Sequence, residues 1–175
     1  MEQPLELGNQ QERREAAIRL GSFFEGEGTF IVSVYTRGKC LQMTPVIRMG
    51  NCDPDTIREM SRILKMHDVG HRIYQQKKYS ERHAVVGVLG VEGYKRVNKF
   101  LAAFGDFFFG RKRANVKLFR KYLPVLAYTH DQSPEAMERR RGLVEEFRQA
   151  NRELNRLGVS RFLIDYTPDA LLAKI

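Results

Sequence analysis

The sequence predicts an α+β chain of order αββαββα, with a four-stranded antiparallel sheet, helices packed on one face and a C-terminal helical extension. Three observations predict it. An apolar stripe at helical spacing is followed by a hairpin of β-branched and aromatic residues, and this unit occurs twice. Each hairpin is closed by polar turn residues. Beyond the second hairpin every apolar stripe has helical spacing again. The 175 residues suit one domain. We divide them into a polar arm over 1–12 and a single domain over 13–175, with its core in 13–130 and C-terminal helices in 131–175.

The first helix is expected from Arg13, where Ala16, Ala17, Leu20, Phe23 and Phe24 recur at helical spacing, and it ends in Glu25-Gly26-Glu27-Gly28. Thr29 to Thr36 reads as a strand by its β-branched and aromatic content, Arg37-Gly38-Lys39 as a turn, and Cys40 to Met49 as the returning strand. Asp53-Pro54 has the chemistry of a helix start, an acidic cap followed by proline at the first helical position. Ile57, Met60, Ile63 and Leu64 give that helix its apolar face. Val69 to Lys78 and Arg82 to Leu89 form the second hairpin around Tyr79-Ser80-Glu81. Gly90 to Phe104 carries a helix with Val97, Phe100, Leu101 and Phe104 inward. A further stripe of Val116, Phe119, Leu123 and Leu126 runs from about Asn115 to Thr129, where Pro124 is placed to kink or divide it. Ser133-Pro134 opens a charged helix that ends near Gly158, and the tail from Asp165 to Ile175 is expected as a short docked helix.

Charge narrows the function. The chain has 30 Lys and Arg against 21 Asp and Glu, a formal charge of +9. Of the cations 20 are Arg, whose planar fork matches phosphate and guanine edges bidentately. A polyanionic partner is indicated, nucleic acid before a membrane surface. No apolar run approaches the ~20 residues of a membrane span. Met1 to Gln11 lacks the apolar core of a secretion signal, so an intracellular, non-secreted protein is expected. Cys40 and Cys52 are too few for a disulfide scaffold, and His67, His71, His83 and His130 lack a ligand spacing.

The most informative stretch is Leu20-Gly21-Ser22-Phe23-Phe24-Glu25-Gly26-Glu27-Gly28. Ser22 and Gly26 are four apart, so they share one helix face and let a second helix approach closely. Two such helices side by side bring two carboxylates together. Paired carboxylates in a basic protein suit a divalent metal and phosphodiester hydrolysis.

At these residues the chain resembles the LAGLIDADG homing endonucleases. LGSFFEGEGTF looks like that family's motif helix running into its first strand. Gly21-Ser22 stands where Ala-Gly is common, and both acids are Glu rather than Asp. The resemblance covers about Arg13 to Tyr128. It implies that Glu27 holds the catalytic metal with the Gly26 carbonyl, and that Glu25 caps or supports the helix pair. It places Asn51 where a polar residue often orders water, although an Asx turn before Asp53 is an equal reading. It also implies a basic residue at the start of the helix after the second repeat, where Arg111, Lys112 and Arg113 cluster; Lys112 is the first choice and Arg111 the second. Simple phosphate contact is the plainer reading for all three. Leu101-Ala102-Ala103-Phe104-Gly105-Asp106 only imitates a second motif, because Phe108 stands at the second acid. One motif per chain then implies a homodimer, with Gly21, Ser22, Glu25 and Gly26 at its interface.

In this reading the sheet recognises DNA. By alternation Phe30, Val32, Val34, Leu41, Met43, Ile47 and Met49 go to the core. Ile31, Ser33, Tyr35, Arg37, Gln42, Thr44, Val46 and Arg48 go outward, joined by Arg72, Tyr74, Gln76, Lys78 and Arg82 from the second hairpin and by Arg113. Ala84, Val85, Val86 and Val88 fit either register. The resemblance implies a site-specific double-strand DNA endonuclease, intron-encoded, using Mg²⁺ or another divalent cation. The alternatives are an RNA maturase that assists intron splicing and a non-cleaving DNA-binding regulator on the same scaffold.

Overall fold

The computed structural model describes residues 4–37, 40–76, 85–126, 131, 133–156 and 163–165. Their order is α1 (Pro4–Glu27), β1 (Gly28–Arg37), β2 (Cys40–Asn51), α2 (Pro54–Met66), β3 (Arg72–Gln75), β4 (Gly87–Glu92), α3 (Tyr94–Phe104), a 3₁₀ turn (Gly105–Phe107), α4 (Gly110–Leu126), α5 (Pro134–Arg156) and β5 (Leu163–Asp165). The expected αββαββα order and the α+β class are both present.

The sheet order is β3-β4-β2-β1-β5. The first four strands are antiparallel neighbours, as the alternation predicts. Phe30 faces Ile47 and Val34 faces Met43 across the first hairpin, while Ile31 faces Val46 and Ser33 faces Thr44. Side chains opposed across an antiparallel pair share a face, so inward and outward rows fall where the sequence puts them. The short β5 adds a parallel partner to β1, with Ile31 beside Leu163. Three residues without alternation left no signal for it.

Several boundaries differ from the sequence reading, among them β3, which begins at Arg72 rather than Val69, and α4, which begins at Gly110 rather than about Asn115. α1 starts at Pro4 rather than Arg13, so the stretch read as an arm continues the helix. Proline at the first position suits a helix start, and residues 9–15 remain exposed, which is why no apolar period marks them. The helix ends at Glu27, within the expected Glu25–Gly28 stretch. On the far side of the sheet, β4 extends to Glu92 and α3 begins only at Tyr94. The glycines there suggested an end to the strand. Instead Gly90 and Glu92 pair with Arg48 and Val46, and Gly93 makes the break with φ of 88°. That register places Val88 in the outward row, opposite Gly50 and Tyr74. The turn around Tyr79-Ser80-Glu81 and residues 166–175 of the tail lie outside the described residues.

A cluster of phenylalanines joins the helices to the inner face of the sheet. Phe24 of α1 meets Phe30 of β1 at 5.1 Å, Phe108 at 5.1 Å and Phe100 of α3 at 5.7 Å between ring centroids. Phe30 continues to Phe119 of α4 at 5.1 Å. Edge-on and tilted ring contacts of this kind add to the gain from burial. The segment that imitates the motif belongs to this core: Leu101, Phe104 and Phe108 are buried, and Asp106 pairs with Arg120 at 2.9 Å.

Caps and cross-ties complete the frame. Asp53 accepts from the amides of Asp55 and Thr56 at 3.1 and 3.0 Å, and its carboxyl is held below the ordinary value, first by the Thr56 hydroxyl. Arg19 of α1 pairs with Glu59 of α2 at 3.1 Å. Ser133 accepts from the Ala136 amide at 3.2 Å to open α5. Tyr122 of α4 donates to Glu146 of α5 at 2.8 Å. Pro124 sits in the last turn of α4 without dividing it. His71 bridges Ser61 at 2.7 Å and the Val69 carbonyl at 2.9 Å. No helix among the described residues is long and apolar enough to cross a membrane.

Two predictions follow from this packing. A Cβ at Gly28 would lie 2.3 Å from the Phe24 ring, which its neighbours hold in place. Gly28→Ala should therefore cost about 1–3 kcal/mol, read as a lower urea midpoint. His67 packs edge-on to Phe104 and donates to the Arg13 carbonyl at 3.1 Å; burial pushes its imidazole below the ordinary 6.5. The unfolded chain then binds more protons than the folded one between 6.5 and the lowered value. Stability should be full above that window and fall as pH drops through it, and His67→Gln should remove this part of the dependence in thermal melts.

Candidate nucleic-acid interface

The site begins where α1 becomes β1. Helix C-termini leave carbonyls without intrahelical partners, and here Glu27 closes the helix while Gly28 opens the strand. Glu27 is exposed, flanked by the exposed Gly26 and the buried Gly28. The absence of a side chain at Gly28 lets the chain turn directly over the Phe24 ring and so delivers Glu27 to the outer face of the sheet.

Glu27 lines a cavity of about 290 Å³ on that face with Thr29, Arg48, Tyr74 and Gln76. Ile31, Gly50 and Val88 complete it. Among the described residues Glu27 is its one acid and Arg48 its one cation. The Arg48 Nε is buried and has no hydrogen-bond partner among the described residues, so the guanidinium retains donor capacity that the fold does not use.

The second cluster lies behind Glu27. Lys112, in the first turn of α4, donates from its ammonium to the Gly28 carbonyl and lies 5.8 Å from the Phe24 ring centroid. Burial pushes its pKa down, and the nearby Glu25 carboxylate offsets part of that. Glu25 in turn accepts from the Phe109 amide at 2.8 Å, next to the start of α4. Glu25 and Lys112 thus fasten α4 to both sides of Glu27.

Other expected site residues divide clearly. Arg48, Tyr74 and Gln76 share the Glu27 cavity. Ser33 and Thr44 are opposed in the outward row and half-buried. Ile31 and Val46 are also opposed there, but only 5% and 3% exposed, so they make the floor of the face rather than projections from it. Asn51 falls in the inward row opposite Gly87, and its side chain accepts from the Asp53 amide at 2.8 Å. It makes the Asx turn, and it does not line the Glu27 cavity. Arg113 is exposed on α4. Tyr35, Arg37, Gln42 and Arg111 have side chains outside the described residues, as are Lys78 and Arg82 entirely.

The motif helix also divides. Gly21 is buried, and a Cβ there would stand 3.1 Å from the Phe107 carbonyl oxygen, so it packs within the chain. Glu25 likewise turns to this chain's own Phe109. Ser22 and Gly26 are exposed, and nothing lies within 4 Å of a Cβ at Gly26. Ile18 extends the same strip at helical spacing and is 46% exposed. Phe109 is exposed as well.

The sequence reading missed Thr29 and Glu92. Period-two alternation backwards from Ile31 reaches Thr29, a signal that was available. Glu92 lay beyond the expected end of β4.

The chain is thus an α+β scaffold whose sheet has one face covered by helices and Glu27 at one end of the other face. No protein-family model and no curated protein matches the sequence. Solved structures do. The homing endonuclease I-CvuI, in complex with the I-CreI target (C1221) in the presence of 2 mM Mg with DNA not cleaved, aligns with a TM-score of 0.59 at 14% identity, over 79% of this chain and 83% of its own. The LAGLIDADG homing endonuclease I-GzeII in complex with its DNA target aligns with a TM-score of 0.57 at 15% identity, over 77% of this chain and 43% of its own. The LAGLIDADG meganuclease I-AabMI bound to uncleaved DNA gives 0.54 at 13% identity, over 89% and 48%. This chain therefore spans under half the length of the latter two. Its fold is that of the LAGLIDADG homing endonucleases.

Proposed function

We propose that the chain is a site-specific double-strand DNA endonuclease, intron-encoded, that acts as a homodimer with a divalent cation. The observation that carries this reading is the placement of Glu27. A single exposed carboxylate ends the motif helix and shares a cavity with Arg48 on the outer face of a basic protein's sheet. Three structural neighbours are solved with DNA.

The donor chemistry fits a hard cation such as Mg²⁺. The Glu27 carboxylate and the Gly26 carbonyl are oxygen ligands of the kind it prefers. Glu27 and the Gly26 carbonyl would hold such a cation together with phosphate oxygens and a second chain's Glu27. Such a cation, when bound, activates water and stabilises the leaving 3′ oxygen. The chain's own residues do the positioning. Lys112 and Glu25 hold the helix end at a fixed distance from α4. Arg48 lines the cavity, where its guanidinium suits a phosphate or base edge. The outward row of Ser33, Thr44, Arg48, Arg72, Tyr74 and Gln76 suits base edges in the major groove.

The dimer reading rests on the strip of Ile18, Ser22 and Gly26. It is exposed, four-spaced and small towards the Glu27 end. Two copies packed along it bring two Glu27 carboxylates to one duplex across a two-fold axis. The intact Glu27 weighs against a purely non-cleaving regulator.

Glu27→Gln should abolish cleavage of a plasmid carrying a target selected from random duplexes, with binding largely kept; normal cleavage by the variant at saturating Mg²⁺ would remove Glu27 from the chemistry. Ser22→Leu overpacks the strip at a cost of about 1–3 kcal/mol to association. Sedimentation should then show the wild-type chain at twice 20.3 kDa and the variant shifted towards monomer, with double-strand cleavage lost. A monomer that cuts both strands contradicts the dimer.

A further inference from the structure

Glu92 is an acid on the face that the DNA reading assigns to a polyanion. It stands in the outward row of β4 opposite Val46, and its carboxylate pairs with Arg72 of β3. Gly90 is the register partner of Arg48 on one side and of Arg72 on the other. A Cβ at Gly90 would meet Glu92 Oε1 and Tyr74 Cε1, each at 3.4 Å. The glycine thus opens a hollow between two arginines, and Glu92 and Tyr74 lean into it. The pair is asymmetric: the Arg72 side chain is 65% exposed and that of Glu92 only 22%. The carboxylate is tucked against the sheet and the guanidinium projects.

An acid here repels phosphate, so its presence calls for a compensating role. A guanidinium is a planar fork with donors along two edges. With Nη2 engaged by the Glu92 carboxylate, the guanidinium's rotamers are restricted and its remaining donors are aimed before DNA arrives. Two parallel donors from one arginine match guanine O6 and N7 in the major groove.

We propose that Glu92 is a positioning residue for specificity, which holds Arg72 to read guanine at one G·C pair in each half-site. The proposal rests on the DNA reading above and adds a base and a residue pair to it. Tyr74, leaning over the same glycine, walls the hollow.

The test is selection of bound duplexes from a random library by the full-length wild type, Arg72→Ala and Glu92→Gln, with a thermal melt of each. The wild type should enrich guanine at one position per half-site by about tenfold or more. Both variants should lose that preference alone, with the other positions and the melting midpoint unchanged. Glu92→Gln should also bind non-specific duplex as tightly as the wild type or more so, because a repulsive charge is gone; a merely structural role does not produce that combination. The proposal fails if Glu92→Gln keeps the guanine preference, or if both variants weaken all positions uniformly, as phosphate contacts would. It also fails if Arg72→Ala keeps the preference while Glu92→Gln loses it, which would make Glu92 a direct acceptor from cytosine N4. A wild-type chain that enriches no sequence overturns the DNA reading itself, a result distinct from the others.

Discussion

The contact between Gly28 and the Phe24 ring is the constraint on which the site depends. A side chain at Gly28 would occupy the ring. Without one, α1 passes into β1 with no intervening loop, and Glu27 is left at the seam between helix layer and sheet. The ring is itself held by Phe30, Phe100 and Phe108, so the core that stabilises the fold also fixes the acid. Lys112 and Glu25 reinforce the seam from α4, one by grasping the Gly28 carbonyl and the other by holding the Phe109 amide. The same few residues thus carry packing, capping and the placement of chemistry.

Much of this was legible from residue order. Alternation in the first hairpin gave its pairing, with Phe30 opposite Ile47 and Ser33 opposite Thr44, although the apolar Ile31 stands in the outward row. Lys112, singled out in the basic cluster, lies in the first turn of α4 and contacts the Gly28 carbonyl beside Glu27. What failed had physical reasons. α1 was shortened because its first turns bury nothing along residues 9–15. β4 was cut short because glycines ordinarily end strands, whereas Gly90 makes room for side chains from its neighbours. Gly21 looked like part of a free small-residue face, but only tertiary packing reveals that Phe107 fills it. Asn51 had two readings from sequence, and the hydrogen bond to Asp53 realises the turn.

The outer face combines an apolar floor with a few charged side chains of both signs. Its floor is apolar, with Ile31, Val46 and Val88 all nearly buried. Arg48 and Arg72 flank a glycine, and Glu92 constrains one of them. Long-range attraction to a polyanion comes from the net charge of +9, whereas discrimination among sequences requires side chains held in defined directions. On the proposed DNA reading the two demands fall on different residues, which leaves room for an acid beside the arginines.

The central claim is that the duplex lies on the outer face of the sheet, with its cleaved phosphates at Glu27. Photo-crosslinking tests it most directly. A selected target duplex carrying 5-bromouracil is irradiated with the protein, and the joined peptides are identified by mass spectrometry. The account predicts crosslinks to the outward row of β1 to β4, Tyr74 foremost, and none to the exposed faces of α2 and α3. Crosslinks confined to those helices, with the sheet untouched, would contradict it.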